Sequence, residues 1–413
     1  MKKAGYLITI VLSFILVWTS CKKEEGKPAN TGYKVSIGLL LPLSGSGSST
    51  GESMEAALNL AHQDINNYLT TLGSEWRFNL LFEDTQTDTL VAFQKLMDVQ
   101  ALGAQVVLGP YSSASLNALR QYSAEHNIMI LSPSSVAPSL AIAGDNIFRL
   151  APNDNNQGEA MTALLLSDSL DVLVPIVRND IFGTGLLEAT TQRFEQQGGT
   201  VTDAVFYDVS SQDFSAAVAD LSAMAHNILQ QHPAGKTGVY LISFAEGTSI
   251  LHLASGDSVL QQVRWYGSSA FANDKSLPAD AEAAAFAMSH DFVCPVFGLD
   301  VSAKDKWQPL IGRIQNMIHR EPEIYALTAY DGLWLLTLTY LSIGYYPDIT
   351  TYKEAFIYEA DVYFGVTGRT TLDDAGDRKY ATYDFWAIVP VLNTYEWQIV
   401  ATYDNMTGEL VKR

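Results

Sequence analysis

The chain has 413 residues, 47% of them hydrophobic and 17% charged, with a formal net charge of −20 at pH 7. That hydrophobic content supports a sizeable core in two or three domains and excludes a disordered chain. The acidic balance, with no basic stripe to offset it, argues against nucleic acid or an anionic membrane surface as a partner and otherwise reads as a solvated acidic surface.

Lys2 and Lys3 precede an apolar-rich run of eleven residues, 7–17, which ends at "VWTSC". The run is too short to span a bilayer comfortably and has the length of a signal-peptide core. The small residues before Cys21 resemble a bacterial lipobox. The expectation is a lipoprotein signal peptide at 1–20, lipid on Cys21 and a lipidated tether at 21–32, "CKKEEGKPANTG". An ordinary secretory signal with an incidental cysteine is the alternative. Membrane attachment would run through Cys21 only. The lysine after it leans toward the outer membrane, by resemblance to lipoprotein sorting signals, so the expected location is the cell envelope. The second cysteine, Cys294 in "FVCPVF", then has no partner in the chain, which excludes a disulfide framework and leaves a buried thiol.

Residues 34–42 form a near-continuous apolar run, as in a parallel strand covered on both faces. From 51 to 69 the apolar residues recur three and four apart, predicting an amphipathic helix. Strands at 77–83, 104–110 and 127–133 alternate with helices at 88–102 and 113–126. The pattern then restarts with strands at 171–177, 200–208, 238–243 and 262–268 among helices that include 213–230 and 247–255. Such alternation implies βαβ units and mostly parallel sheets. After residue 271 the texture changes to one more strand, helices at 304–318, 324–343 and 351–359, and a C-terminal hairpin around Asn393–Thr394. Segment 332–344 is apolar but short, and reads as core helix.

The loop "LSGSGSSTGES" after the first strand invites a phosphate-site reading, which its details oppose. No lysine follows the glycines as a Walker A loop requires. Gly45, Gly47 and Gly51 are spaced G-x-G-x-x-x-G rather than as in a dinucleotide fingerprint. Glu52 and Glu55 would also repel phosphate. No H-E-x-x-H or C-x-x-C occurs, and none of the serine clusters carries an evident His/Asp partner, so no metal, cofactor or activated nucleophile is expected. Serines instead cluster at 44–49, 112–115, 132–135 and 268–269, each after an apolar run. Convergent on one cleft, they suit hydrogen bonding to a small polar molecule. Taken singly, they read as turn residues and helix caps.

The ordered segments "KVSIGLLLPLSG", "LFEDTQTD", "VVLGPYSSA", "ILSPSSVAPSL", "IFRLAPNDNNQGEA", "RNDIFGTGL", "DFSAAVADL", "ALTAYDGLWLL" and "GVTGRTTLDDAGDR" resemble the type I periplasmic binding proteins of the leucine/isoleucine/valine-binding branch. The resemblance runs from about residue 33 to the C-terminal end. It implies two Rossmann-like α/β lobes joined by three crossovers, with a ligand cleft between them: 33–150 plus 272–366 for the first lobe, 151–271 plus 367–413 for the second. It implies a lipid-anchored solute-binding protein, not an enzyme, that captures a small polar ligand (an amino acid, amide or carboxylate) by hinge closure for an ABC-type permease. An envelope interaction protein on the same fold, such as a regulator of cell-wall synthesis, is the alternative.

By the same resemblance, Ser112, Ser113, Ser134 and Ser135 would hold a ligand carboxylate. Ser44 and Thr50 would reach the ligand from the first loop, where the family often has an aromatic. Phe182 and Phe244 would face it from the second lobe. Ser268 and Ser269 stand where the family commonly has an acid for the ligand's amine. Asp331, charged within an apolar helix, reads as a structurally paired acid.

Overall fold

The computed structural model describes residues 32–413 apart from Asn393. The expected signal peptide, Cys21 and almost all of the tether lie outside the described residues. Two sheets organise the chain. The first is wholly parallel, in the order β2-β1-β3-β4-β5, from β1 (Lys34–Leu41), β2 (Arg77–Asp84), β3 (Val106–Leu108), β4 (Met129–Ser132) and β5 (Ile147–Arg149). Ile37, Leu39, Leu40 and Leu41 of β1 are completely buried because helices cover both faces. Ser48–Thr71 and Ile324–Ile343 pack together on one face. Thr89–Ala101 and Ser113–Glu125 close the other around Leu40, Leu96, Val107 and Leu119. Fully burying each such side chain contributes about 1.5–3 kcal/mol.

The second sheet has a parallel part: β6 (Val172–Arg178), β7 (Thr200–Val201), β8 (Val205–Tyr207), β9 (Thr237–Ile242), β10 (Arg264–Gly267) and β11 (Val293–Phe297). A separate small ribbon pairs β12 (Phe364–Gly365) with β13 (Gly368–Arg369). The second sheet is completed by antiparallel β14 (Thr382–Val391), β15 (Thr394–Asp404) and β16 (Glu409–Lys412), in the order β16-β15-β14-β11-β10-β9-β6-β7, with β8 also on β6. Cys294 is buried in β11, which pushes its thiol well up, as expected for an inert core thiol. Among the described residues, no helix is long and apolar enough to cross a membrane.

Beyond short elements that the sequence reading did not mark, such as β5 and β16, the structure differs from it in three places. The run 200–208 is two short strands, β7 and β8, which both pair with β6 while Thr202–Ala204 leaves the ladder. The first helix starts at Ser48 rather than at 51, so half of the glycine-serine loop is helical. There a Cβ on Gly51 would sit 2.1 Å from the Pro42 carbonyl oxygen, and Gly45 has a φ of +80°. These glycines serve close packing and a turn. Finally, β11 hydrogen-bonds to β10 and β14, so by sheet membership residues 272–297 stay with the second sheet. The return to the first unit comes after Phe297, not near 272.

Three segments therefore join the sheets: from β5 to the helix Asp154–Ser167, from β11 to the helix Lys304–Ile318, and from β13 to β14. Two of them are pinned together. Arg149 donates its backbone N–H to Gly376 and accepts from that of Arg378, at 2.9 Å each. Its guanidinium grips Asp377 through both carboxylate oxygens, and both side chains are buried. Asp331 is structural as expected. It accepts from the backbone N–H groups of Val366 and Thr367 at 2.8 Å each, which compensates its burial.

Candidate functional site

Loops at the carboxyl ends of both sets of strands converge on one enclosed space, where open α/β sheets place their ligands. From the first unit come Tyr111, Ser112 and Ser113 after β3, and Ser134 and Val136 after β4. From the second come Phe182 after β6, Phe244 after β9, and Ser269 and Ala270 after β10. Tyr325, in the first turn of the helix Ile324–Ile343, closes the side. The remaining cavity is about 10 Å³, room for the centre of one water. The units meet here, with Tyr111 and Phe244 ring centroids 5.3 Å apart; within the second unit Phe182 lies 5.4 Å from Phe244.

The hydroxyls are not equivalent. Ser112 caps the helix Ser113–Glu125, accepting from Ser115 N at 3.1 Å and donating to Ser115 Oγ at 2.9 Å. Ser134 donates to the Tyr111 carbonyl at 2.9 Å. Among the described residues Ser113 Oγ only accepts: from Ser135 Oγ at 3.0 Å, Ala137 N at 3.2 Å and Val136 N at 3.3 Å. Its own proton is therefore uncommitted. Across the cavity, Ser269 Oγ is buried beside the Tyr325 hydroxyl and makes no hydrogen bond of good geometry among the described residues. The site thus offers the free O–H donor of Ser113 on one side and the adjacent hydroxyls of Ser269 and Tyr325 on the other, between aromatic walls. Burial pushes the Tyr111 and Tyr325 hydroxyls up, so both stay neutral.

No charged side chain lines the cavity among the described residues. Behind Phe244 lies a buried cluster. Arg178 donates to Asp180 at 2.7 Å and to Glu246 at 2.5 Å, and Glu246 also accepts from Tyr207 Oη at 3.0 Å and from the Phe244 N–H at 3.1 Å. Asp154 is completely enclosed, with neither carboxylate oxygen partnered among the described residues. Burial pushes its pKa well up, with Arg149 opposing.

Six of the expected contacts therefore meet at the cavity: Ser112, Ser113, Ser134, Phe182, Phe244 and Ser269. Ser135 lies one step behind, bonded to Ser113. Thr50 is buried against the Tyr111 hydroxyl rather than in the cavity. Ser44 does not reach it, because its hydroxyl donates to Asp84 at 2.7 Å on the surface. Ser268 is also spent, donating to the Ser243 carbonyl at 2.9 Å and accepting its N–H. Sequence reasoning missed Tyr111, Val136, Ala270 and Tyr325. Tyr111 sits directly before the serines in "GPYSSA", a signal that was available, whereas nothing local marks Tyr325.

The family described as "Receptor family ligand binding region" matches residues 53–391, well over half of the chain. An uncharacterized protein of Methanocaldococcus jannaschii is 26% identical over 98% of this chain and 99% of its own length. Among solved structures, the leucine-binding protein LivK of Thermotoga maritima superposes with a TM-score of 0.75 at 18% identity, covering 90% of this chain and 99% of that one. An ABC-transporter solute-binding protein of Rhodopseudomonas palustris, in complex with benzoate, gives 0.70 at 17% identity, covering 92% and 98%. At such identities these two establish likeness of fold. With the family match spanning both sheets, the chain belongs to the receptor-family ligand-binding proteins, in the group of the type I periplasmic binding proteins.

Proposed function

We propose that this protein is a lipid-anchored, extracytoplasmic solute-binding protein that captures a small organic carboxylate by hinge closure and delivers it to an ABC-type transporter. One observation carries the reading: the uncommitted Ser113 hydroxyl and, from the opposite unit, the Ser269 hydroxyl beside the Tyr325 phenol face one small space walled by Tyr111, Phe182, Phe244 and Tyr325. Such donors suit a carboxylate, and the rings suit an apolar body. An ammonium group would find no counter-charge in the lining, and an unpaired buried charge is costly. A carboxylate lacking an α-amine therefore fits better than a standard amino acid. Lipid on Cys21 would hold the protein at the envelope, on the outer membrane.

A thermal-shift screen tests this, since a ligand that binds only the native state raises the melting temperature. Aromatic and aliphatic carboxylates should raise it, matched amines should not, and Ser113→Ala should abolish the shift. Absence of any shift across both carboxylates and amino acids would refute the reading.

One observation favours a second reading. The cavity holds no more than a water, as expected of an envelope interaction protein that keeps the fold but not the ligand. That reading predicts no small-molecule shift and recovery of a cell-wall enzyme from envelope extracts.

A further inference from the structure

A second and far larger space lies away from the cleft, among the segments that join the two units. It measures about 1060 Å³, at or above the upper end for small-molecule sites. Its walls are the exit of β11, the start of the helix Lys304–Ile318, the segment between β13 and β14, and the outer strands β15 and β16.

Its charges are unusual. Five carboxylates line it, Asp300, Asp361, Asp384, Asp404 and Glu409, with four cations, Lys304, Arg369, Arg378 and Arg413. Among the described residues none of the nine makes an ion pair within 4.0 Å. The two signs are placed differently. Lys304, Arg369 and Arg413 are exposed on the rim. Arg378 is buried but committed, donating to the Thr367 carbonyl at 2.5 Å and its hydroxyl at 2.8 Å. Asp300 and Asp404 are committed to turns, accepting from Ser302 N at 2.8 Å and Met406 N at 2.7 Å. Asp384 projects from inside a strand, β14, whereas Asp404 and Glu409 stand at the ends of β15 and β16. It accepts from the Leu299 backbone, and a Cβ on Gly298 would lie 2.7 Å from its Oδ2. It is a half-buried carboxylate with no cation within ion-pair distance among the described residues.

We propose that this interunit groove is a binding site for a small organic cation, an aliphatic ammonium whose charge pairs with Asp384 and whose carbon chain lies along Trp307 and Ile399. Burial raises the Asp384 carboxyl to about 6, with Arg413 and the Leu299 N–H opposing. It is therefore ionised at neutral pH but under-solvated, the state that gains most from a bound cation. The site is independent of the cleft.

The test is calorimetric titration of the full chain at pH 7.5 and low salt with 1,5-diaminopentane, using the uncharged 1,5-pentanediol as control. Saturable binding of the diamine alone is expected. Asp384→Asn should weaken it at least tenfold, and Ile399→Trp, which fills the groove without touching the carboxylate, should abolish it. At pH 5, protonation of Asp384 should weaken binding about tenfold. If Asp384→Asn fails to fold, the Ile399 variant and the pH series decide. No binding of the diamine, equal binding of the diol, or binding unchanged in the variants that fold overturns the proposal.

Discussion

The guanidinium carbon of Arg178 lies 3.6 Å from the centroid of the Phe244 ring, on a cation that is itself buried. Burial works against the charge, and Glu246 and Asp180 outweigh it, holding the Arg178 pKa above its usual value. The same Asp180 caps the helix Ile181–Gln196, accepting from Gly183 N at 2.8 Å. One buried cluster thus sets both rings that the second unit presents to the cleft. Arg178→Met would leave two carboxylates without their cation and cost about 3–5 kcal/mol. Arg178→Lys should recover part of this but not the planar stack. Urea unfolding of both variants checks the order.

The hydroxyl assignments separate two adjacent serines. Ser113→Ala should weaken a carboxylate ligand at least tenfold, because it removes the free donor. Ser112→Ala removes a helix cap instead and should cost about 1 kcal/mol of stability with a smaller effect on affinity. Calorimetry on both, alongside chemical denaturation, would show whether the two effects part in this way.

At the cleft mouth, Lys275 of the second unit meets Glu52 of the first at 3.0 Å, and Arg320 meets the same carboxylate at 3.1 Å. Burial would raise Glu52, but the two cations outweigh it and hold its carboxyl below the usual range. Because Lys275 and Glu52 are about half exposed, the contact should contribute under about 1 kcal/mol. Lys275→Met should therefore speed ligand release only a few-fold. That difference should shrink at 0.5 M salt, as stopped-flow dissociation would reveal.

Asp384 gives a pH signature. Its folded pKa of about 6 exceeds the unfolded value of 3.8, so between these values the native state keeps a proton that the unfolded chain has released. Its contribution to stability is full below about pH 4 and is lost as pH rises to about 6, by up to about 3 kcal/mol. Asp384→Asn should accordingly match the parent near pH 4 and exceed it at pH 7 in unfolding free energy. The opposite ordering at pH 7 would count against the raised pKa.

What the sequence revealed followed the range of the interactions involved. The helices Gly247–Ser255, Lys304–Ile318 and Ile324–Ile343 could be read to the residue, since apolar spacing and local stop signals such as Gly344 mark them. The fate of 293–297 could not, because a strand's pattern does not say which sheet it joins, and β11 is placed by its pairing with β14 some ninety residues on. The serine clusters were visible as clusters. Which hydroxyl stays free depends on distant partners: Asp84 for Ser44, Ser243 for Ser268, and Ser135 with the backbone of Val136 and Ala137 for Ser113. Tyr325 reaches the cleft only because its helix folds back onto the first sheet.

The central claim is that the closed cleft opens to admit a ligand and closes over it. Small-angle X-ray scattering of the full chain, without ligand and then saturated with the carboxylate that gives the largest thermal shift, tests this most directly. A larger radius of gyration is expected without ligand, and saturation should compact the protein toward the closed arrangement, widened only enough between Tyr111 and Phe244 to admit the ligand. A ligand-free curve that is already closed, and stays unchanged at saturation, would contradict it.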